Sequence, residues 1–520
     1  MSATVLMVQG TASSVGKSVI TAGLCRILRR RGLRVAPFKA QNMSLNAAVT
    51  RDGEEIARST AVQAAAAGLE PTVDMNPILI KPEADGRSQV IVRGRIWGTL
   101  QARDYFQGKL DLWPFVADAL DRLRAEYDVI VAEGAGSPAE MNLRERDLAN
   151  MRVAKYARSA VVLVGDIDRG GVFAQLIGTL DLLPSDERAL VQGLIVNRFR
   201  GDPALFAEGV EFLERRTARP VLGVVPWVPD LGLADEDSTS LDDRREPGDT
   251  HTSAVEHLRI AIIRVPGIAN FDDFAPLERD KSVSVSYVGR PESLVDPDLL
   301  ILPGSKSTMA DLRFMNERGL SEAIRAMRRR GTPIIGICGG YQMLGREIRD
   351  PDHVESPSSA MAGLGLLTHV TTFQREKQTT RVRARLIGTL GPFAAANGAE
   401  IAGYEIHSGQ TEVPDVVTPS RPVRLIARSE RPVDEPDGAI SDDGLVFGTY
   451  LHGFFENEVV CRTLLAWLRG RRGLAAATPS SGERSATVDV DPCERWADLL
   501  ESTLSLPRLF ELCGVPSIDR

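Results

Sequence analysis

No apolar run in this sequence approaches the length of a membrane span, which excludes a bilayer-spanning protein and a membrane partner. Nor is there a basic n-region at Met1-Ser2-Ala3-Thr4-Val5-Leu6, which passes straight into a β-rich run, so no secretory signal peptide is read there. Cysteine is sparse. Cys25, Cys338, Cys461, Cys493 and Cys513 are odd in number and scattered, and none falls in a C-x-x-C pair, which rules out a zinc framework and fits a reducing, cytoplasmic setting. An excess of positive charge is also missing: 62 Lys and Arg against 70 Asp and Glu leave a net charge of −8. That balance argues against a nucleic-acid partner but permits an anionic substrate, because steering depends on local charge. Internal repeats are absent. What is present is an ordinary soluble composition, 43% apolar and 25% charged, on 520 residues, too many for one core and enough for two or three domains.

The first half alternates buried strands with helical stretches. Thr4 to Val8 is β-rich, then comes Gly10-Thr11-Ala12-Ser13-Ser14-Val15-Gly16-Lys17-Ser18, then an amphipathic helix from about Val19 to Arg30. In a strand, glycine loop and helix of this kind, backbone N–H groups and the helix start hold phosphate, Lys17 reaches the outer phosphate oxygens and the Ser18 hydroxyl ligates Mg²⁺. Five residues, instead of the usual four, separate Gly10 from Gly16, so a plain glycine-rich turn also fits. A strand at Leu33–Pro37 opens into the amide-rich Phe38–Asn46, at the C-terminal edge where open α/β sheets bind ligands. Glu54 to Ala67 reads as an Ala-rich helix. Asp128–Ala132 is a buried strand ending on Glu133, placed to hold Mg²⁺ directly or through water, although a turn-capping acid would look the same. Strands at Ala160–Val164 and Gln192–Val196 end in polar, glycine-rich segments, and the pattern is a doubly wound parallel sheet. Arg169, Arg198 and Arg200 gather cations on that rim, suited to phosphate or a polycarboxylate.

Residues 235–257 are charged and polar with little apolar content and read as a linker between a first domain, 1–234, and a second, 258–520. The second begins with strands at Leu258–Arg264 and Asp298–Leu302, the latter running into Pro303-Gly304-Ser305-Lys306, and a helix over roughly Met309–Arg329. Pro333–Ile337 is then a buried strand that ends on Cys338 between Gly336, Gly339 and Gly340, ahead of a helical pattern from Tyr341. A strand, sharp turn and helix lift the intervening side chain out of the sheet, as in a nucleophile elbow, although a buried structural cysteine is an equally simple reading of the string. A catalytic thiol needs a base. His452 ends a buried strand before a glycine and is the first candidate, with His407 in reserve. His251, His257 and His353 lie in polar stretches, and His369 has no motif around it. Residues 474–490, rich in Ala, Ser, Thr and Pro, read as a flexible insertion before a C-terminal helix from Glu494 to Leu504.

These strings together resemble the cobyric acid synthase family of glutamine-hydrolysing ligases in cobalamin biosynthesis. The first half is similar to the dethiobiotin synthetase group of P-loop proteins, which share the five-residue spacing. Its marks are PFKAQNMSLN (37–46), MNPILIKP (75–82), EGAGSPAEMNL (133–143), GDIDRGGVFA (165–174) and NRFRGD (197–202). The second half resembles class I, triad-type glutamine amidotransferases, with a flavodoxin-like sheet, through LPGSKST (302–308), GICGGYQMLG (336–345), GYEIHSG (403–409) and GTYLHGFF (448–455).

The resemblance implies an α/β enzyme of two doubly wound domains using ATP and Mg²⁺. Gly10, Thr11, Gly16, Lys17 and Ser18 would bind nucleotide, and Ser18 and Glu133 would hold the metal, with Glu55 a further ligand. Cys338 would attack the glutamine amide with His452 as its base, and the oxyanion would sit between the N–H groups of Gly304 and Gly339. The His-x-Glu string of many amidotransferases is absent, since His452 is followed by Gly453-Phe454. A Cys–His dyad is therefore expected, with Glu405 as the candidate for orienting the imidazole. The acceptor implied is adenosylcobyrinic acid a,c-diamide, a corrinoid amidated at its b, d, e and g carboxylates. Free ammonia would protonate in bulk water, so an internal passage between the two sites is expected. The sister enzyme that amidates the a and c carboxylates, another ATP-dependent glutamine amidotransferase, and a partition-type regulatory P-loop ATPase are the rival readings. A homo-oligomer is left open.

Overall fold

A computed structural model describes residues 2–229, 231–232, 257–413, 421–474 and 491–515. The expected linker, apart from His257, and almost all of the 474–490 insertion lie outside the described residues.

The N-terminal half is built on a six-stranded, all-parallel sheet. In spatial order its strands are Val221–Pro226, Val191–Phe199, Ala160–Asp166, Thr4–Gly10, Val129–Glu133 and Val35–Phe38. Both faces are covered, so the strands are apolar throughout and alternate sides residue by residue. In the first strand Val5 and Met7 enter one core while Leu6 and Val8 enter the other. Between the second and third strands in sequence the chain leaves this sheet for a smaller one, Gln41–Met43, Ile78–Pro82, Arg87–Val92 and Arg95–Gln101, and a ribbon, Ala47–Val49 with Glu55–Ala57. The expected helix from Glu54 therefore starts as strand and becomes helical only over Arg58–Ala66.

The C-terminal half has a second parallel sheet, Val283–Val288, Leu258–Ile263, Leu299–Leu302, Ile334–Ile337 and Val446–Thr449, with Ala439–Ile440 antiparallel at its edge. The long helix expected from Met309 is two helices, Thr308–Glu317 and Leu320–Arg329, parted by Gly319 at φ 75°. A further, largely antiparallel sheet, unanticipated by the doubly wound reading, is built on Val370–Leu386 paired with Glu400–Glu412 and Val423–Arg428.

One domain boundary is corrected. The helices Pro492–Thr503 and Leu506–Cys513, assigned by sequence to the second domain, pack on the first. Trp496, Leu500, Leu509 and Phe510 join the core beneath the helix Lys17–Arg30. Trp496 Nε1 donates to the Val19 carbonyl at 2.6 Å, and Arg26 pairs with Asp491 and Glu494, each at 2.7 Å. Gly23 makes this close helix crossing achievable, because a Cβ there would overlap Leu500.

Candidate functional site

Two clusters of chemically active side chains form at the C-terminal edges of the two parallel sheets. In the first, the loop from Gly10 turns into the helix Lys17–Arg30 through Gly16 at φ 100°, and Asn197 Nδ2 braces it by donating to the Val15 carbonyl at 2.8 Å. Thr11 Oγ1 donates to Gln175 Oε1 at 3.1 Å. Lys17 Nζ donates to the carbonyls of Ala12 (2.8 Å) and Gly136 (3.1 Å), so its ammonium spans the loop. Ser18 Oγ donates to Glu133 Oε1 at 2.8 Å, which brings together the hydroxyl and carboxylate expected at the metal. Glu133 is buried at the tip of its strand and also accepts from Lys39 Nζ at 2.8 Å and Gln63 Nε2 at 2.5 Å. Burial disfavours its charge, yet Lys39, Gln63 and Lys17 hold the carboxyl below its ordinary range.

An all-oxygen set of hydroxyl and carboxylate suits a hard, water-retaining cation such as Mg²⁺. With Lys39 already on Glu133 Oε1, the carboxylate fits contact through water better than direct ligation. Among the described residues no group of three or more His, Cys, Asp or Glu is placed to hold a metal, so most ligands would have to come from nucleotide phosphates and water. The expectation for Glu55 is corrected. Its carboxylate pairs with Lys81 and, at 2.5 Å, with Lys377 of the other half, and a carboxylate neutralised by two ammonium groups is a poor metal ligand. Two of the rim arginines are likewise engaged, Arg198 with Asp166 at 2.9 Å and Arg200 with Asp168.

The second cluster surrounds Cys338. Its backbone is strained, at φ 49° and ψ −107°, between the strand Ile334–Ile337 and the helix Gly339–Leu344, which is the elbow conformation. The flanking glycines are demanded by contact: a Cβ on Gly340 would strike the Leu302 carbonyl, and one on Gly339 would lie 2.7 Å from the Ser305 nitrogen. The Cys338 elbow thus lies against the short strand Gly304–Ser305. His452 is buried with its ring against Gly304, where a Cβ would lie 2.8 Å from the imidazole Cε1. Its backbone pairs with Tyr404 (N to O 2.9 Å one way, 3.1 Å the other), whose ring stacks on the imidazole at 5.3 Å.

The residue that orients the imidazole is Asp273, which sequence reasoning missed. Its Oδ2 lies 2.7 Å from His452 Nδ1, and its Oδ1 accepts from the Gly453 N–H at 2.8 Å. Burial opposes a charged imidazole, but Asp273 and Cys338, by charge and hydrogen bond, push His452 up to about 10. Near neutral pH the imidazole is therefore held in its charged form beside the Cys338 sulfur. Glu405, the expected orienting acid, is corrected: it faces Arg428 at 2.8 Å and stands 3.6 Å from His407 Nε2. His407 stacks on Tyr450 at 3.8 Å with Nδ1 on the Gly409 carbonyl, and it is the neighbouring Ile406 carbonyl that accepts from the Cys338 thiol, at 3.6 Å. His369 is structural, its Nε2 on the Tyr341 carbonyl at 3.0 Å, and burial lowers it to about 4.

Residues 6–241 match the family model for a CobQ/CobB/MinD/ParA nucleotide binding domain, and residues 259–460 that for a CobB/CobQ-like glutamine amidotransferase domain. The chain is similar to cobyric acid synthase of Herpetosiphon aurantiacus, 51% identical over 514 residues that cover 99% of both chains. Similarity extends to cobyric acid synthase of Chloroflexus aggregans, 53% identical over 515 residues covering 98% of this chain and 100% of that one. It extends also to that of Sorangium cellulosum, 49% identical with 99% of each chain covered. Among the described residues no helix is long and apolar enough to cross a membrane.

Proposed function

The chain belongs to the cobyric acid synthase family of ATP-dependent glutamine amidoligases, and we propose that it amidates the b, d, e and g carboxylates of adenosylcobyrinic acid a,c-diamide. The observation that carries the nitrogen half of this reading is the strained Cys338 elbow beside an imidazole fixed by Asp273. The Cys338 thiolate attacks the side-chain amide carbon of glutamine. The resulting oxyanion would be stabilised by the N–H groups of Gly339 and Gly304. His452 gives its proton to the departing ammonia and then takes one from the water that hydrolyses the thioester to glutamate.

At the other site, a substrate carboxylate resists ammonia because its leaving group would be oxide. Its oxygen attacks the terminal phosphorus of ATP, ADP departs, ammonia adds to the acyl carbon and inorganic phosphate leaves. Lys17 exchanges the Ala12 and Gly136 carbonyls for phosphate oxygens, and Gly10, Thr11 and Gly16 supply the backbone cradle. When bound, Mg²⁺ held by Ser18 and, through water, by Glu133 would neutralise phosphate charge. The test incubates purified protein with ATP, glutamine and the corrinoid a,c-diamide and follows products by mass spectrometry. Successive exchange of acid for amide is expected, and Cys338→Ala should abolish it with glutamine but not with ammonium. No amidation of the a,c-diamide, with cobyrinic acid offered in parallel converted only at its a and c positions or not at all, refutes the assignment.

A further inference from the structure

Two parts of the glutaminase site, Gly304 and Asp273, hang on one two-stranded ribbon, Ile268–Ala269 paired with Gly304–Ser305. One strand carries Gly304. The other continues through Asn270, in left-handed conformation at φ 52°, into the short helix Phe271–Phe274 that bears Asp273. Each end of this ribbon is tied to the N-terminal half. At one end each of two asparagines accepts from the backbone N–H of the residue that follows the other: the Ala47 N–H donates to Asn270 Oδ1 at 2.8 Å, and the Phe271 N–H donates to Asn46 Oδ1 at 3.3 Å. Both side chains are buried, at 2% and 4% exposure, so each bond is made in a low-dielectric setting where its loss is felt. At the other end Lys306 Nζ pairs with Glu83 at 2.6 Å, and Ser307 Oγ accepts from the Ala84 N–H at 3.2 Å. Arg58, also of the N-terminal half, pairs with Glu456 at 2.5 Å and faces Asp272 and Asp273. The segment ending in Asn46 begins at Lys39, the residue bonded to Glu133 beside the phosphate loop.

We propose that Asn46 and Asn270 are positioning residues for glutamine hydrolysis, a reciprocal clamp through which the seated N-terminal half sets Asp273, and hence the His452 imidazole, and fixes the ribbon that presents Gly304. The inference rests on the glutaminase reading of the Cys338 site. Neither asparagine touches glutamine. They act through Asp273, so their loss lowers turnover while leaving glutamine affinity in place.

Two variants at position 270 and one at position 46 separate the contributions. Asn270→Gly keeps the left-handed backbone without strain but removes the acceptor. Asn270→Asp keeps both, and Asn46→Ala removes the reciprocal bond. Glutamate release from glutamine is measured across pH, with binding of a fluorescent ATP analogue as the control for an intact N-terminal half. For Asn270→Gly and Asn46→Ala, kcat should fall roughly 10- to 100-fold, as expected for a misplaced catalytic group. KM should stay within about twofold, and the alkaline limb of kcat/KM should move to lower pH as His452 loses Asp273. Asn270→Asp should restore most of the rate, and Glu83→Gln, which frees the other end of the ribbon, should reproduce the defect should an asparagine variant fail to fold. The proposal is overturned if these variants turn over glutamine like the wild type, if Asn270→Asp is no better than Asn270→Gly, or if KM alone rises. Absence of Cys338-dependent glutamine hydrolysis in the wild type would overturn the glutaminase reading itself and the clamp with it.

Discussion

Asp273→Asn is the sharpest test of the thiol site, because both oxygens of that carboxylate are committed. The Gly453 N–H donates to Oδ1 at 2.8 Å, so the amide of the variant keeps its oxygen there and turns its NH₂ toward His452 Nδ1. Nδ1 must then accept, which places the ring proton on Nε2, the wrong tautomer for taking a proton from the thiol. The charge is lost as well. With Nδ1 and Oδ2 2.7 Å apart, the charge centres lie about 4 Å from each other, worth about 4 kcal/mol at an effective dielectric of about 20. That is about three pH units at 1.36 kcal/mol each.

His452, pushed up to about 10 with Asp273 and Cys338 beside it, would then give up its proton at markedly lower pH in the variant. Combining the charge and tautomer effects, kcat for glutamine hydrolysis should drop roughly 10²- to 10⁴-fold, the upper end being the loss seen for the equivalent change in a serine protease. The assay is glutamate release between pH 6 and 10, with ammonium-driven amidation as the control for the other site. A variant within fivefold of wild type, or one whose alkaline limb stays in place, would refute a role for Asp273 in fixing His452.

Removing residues 491–520 should strip Trp496, Leu500, Leu509 and Phe510 from the helix that begins at Lys17, at about 2 kcal/mol for each apolar side chain. The truncated protein should lose nucleotide binding and melt many degrees lower. Unchanged binding and melting would show that these helices are dispensable to the first domain. Burial pushes the Glu355 carboxyl up to about 8, against an unfolded value near 4.5. Its penalty therefore starts as pH rises through about 4.5 and is complete above about 8, so Glu355→Gln, which keeps the acceptor for the Met309 N–H, should raise the melting temperature at pH 8.5 and hardly at pH 5. An equal effect at both pH values would show that the acid is not held neutral.

What could be read from the sequence was short in range. The phosphate loop and the cysteine elbow are each written within a few consecutive residues, because the turn that builds them is local. Asp273 lies 179 residues from His452 and sits in Asn270-Phe271-Asp272-Asp273-Phe274, a string with no spacing rule; its one signal was a pair of acids between aromatics that bury themselves. Glu405 is the sequence's candidate for orienting His452, but its strand neighbour Tyr404 is the residue that meets the imidazole, and alternation turns Glu405 to the other side, toward Arg428. Glu55 reads in the sequence as a candidate metal ligand because its two lysines, Lys81 and Lys377, come from other parts of the chain and leave no local trace. The C-terminal helix read at Glu494 to Leu504 falls to the second domain by its place in the chain, which does not say which core it covers. Val370–Leu386 carries so many charges that its strand character emerges only from pairing on both edges.

The surface between the halves explains why the two sites keep a fixed relation. Its apolar patch joins Ala47, Val49, Ala57, Leu79 and Ile91 of the first half to Tyr404 and Ile406 of the second. Those last two residues are also the ones that back the catalytic pair: Tyr404 stacks on His452, and the Ile406 carbonyl accepts from the Cys338 thiol. Beside the patch lies the buried Glu55 with Lys81 and Lys377. Burial pulls Lys377 down to about 8 even with Glu55 opposing it, while the lysines outweigh burial to hold Glu55 down to about 2. An ion cluster of this kind adds little net affinity, because desolvation offsets attraction, but separating its members leaves a buried charge unpaired at about 3–5 kcal/mol. Adhesion thus comes from the apolar patch and register from the charges. A slip between the halves would break the ion cluster, move Tyr404 and Ile406, and disturb His452 and Cys338 together, so seating the synthetase half and aligning the glutaminase pair are one structural event.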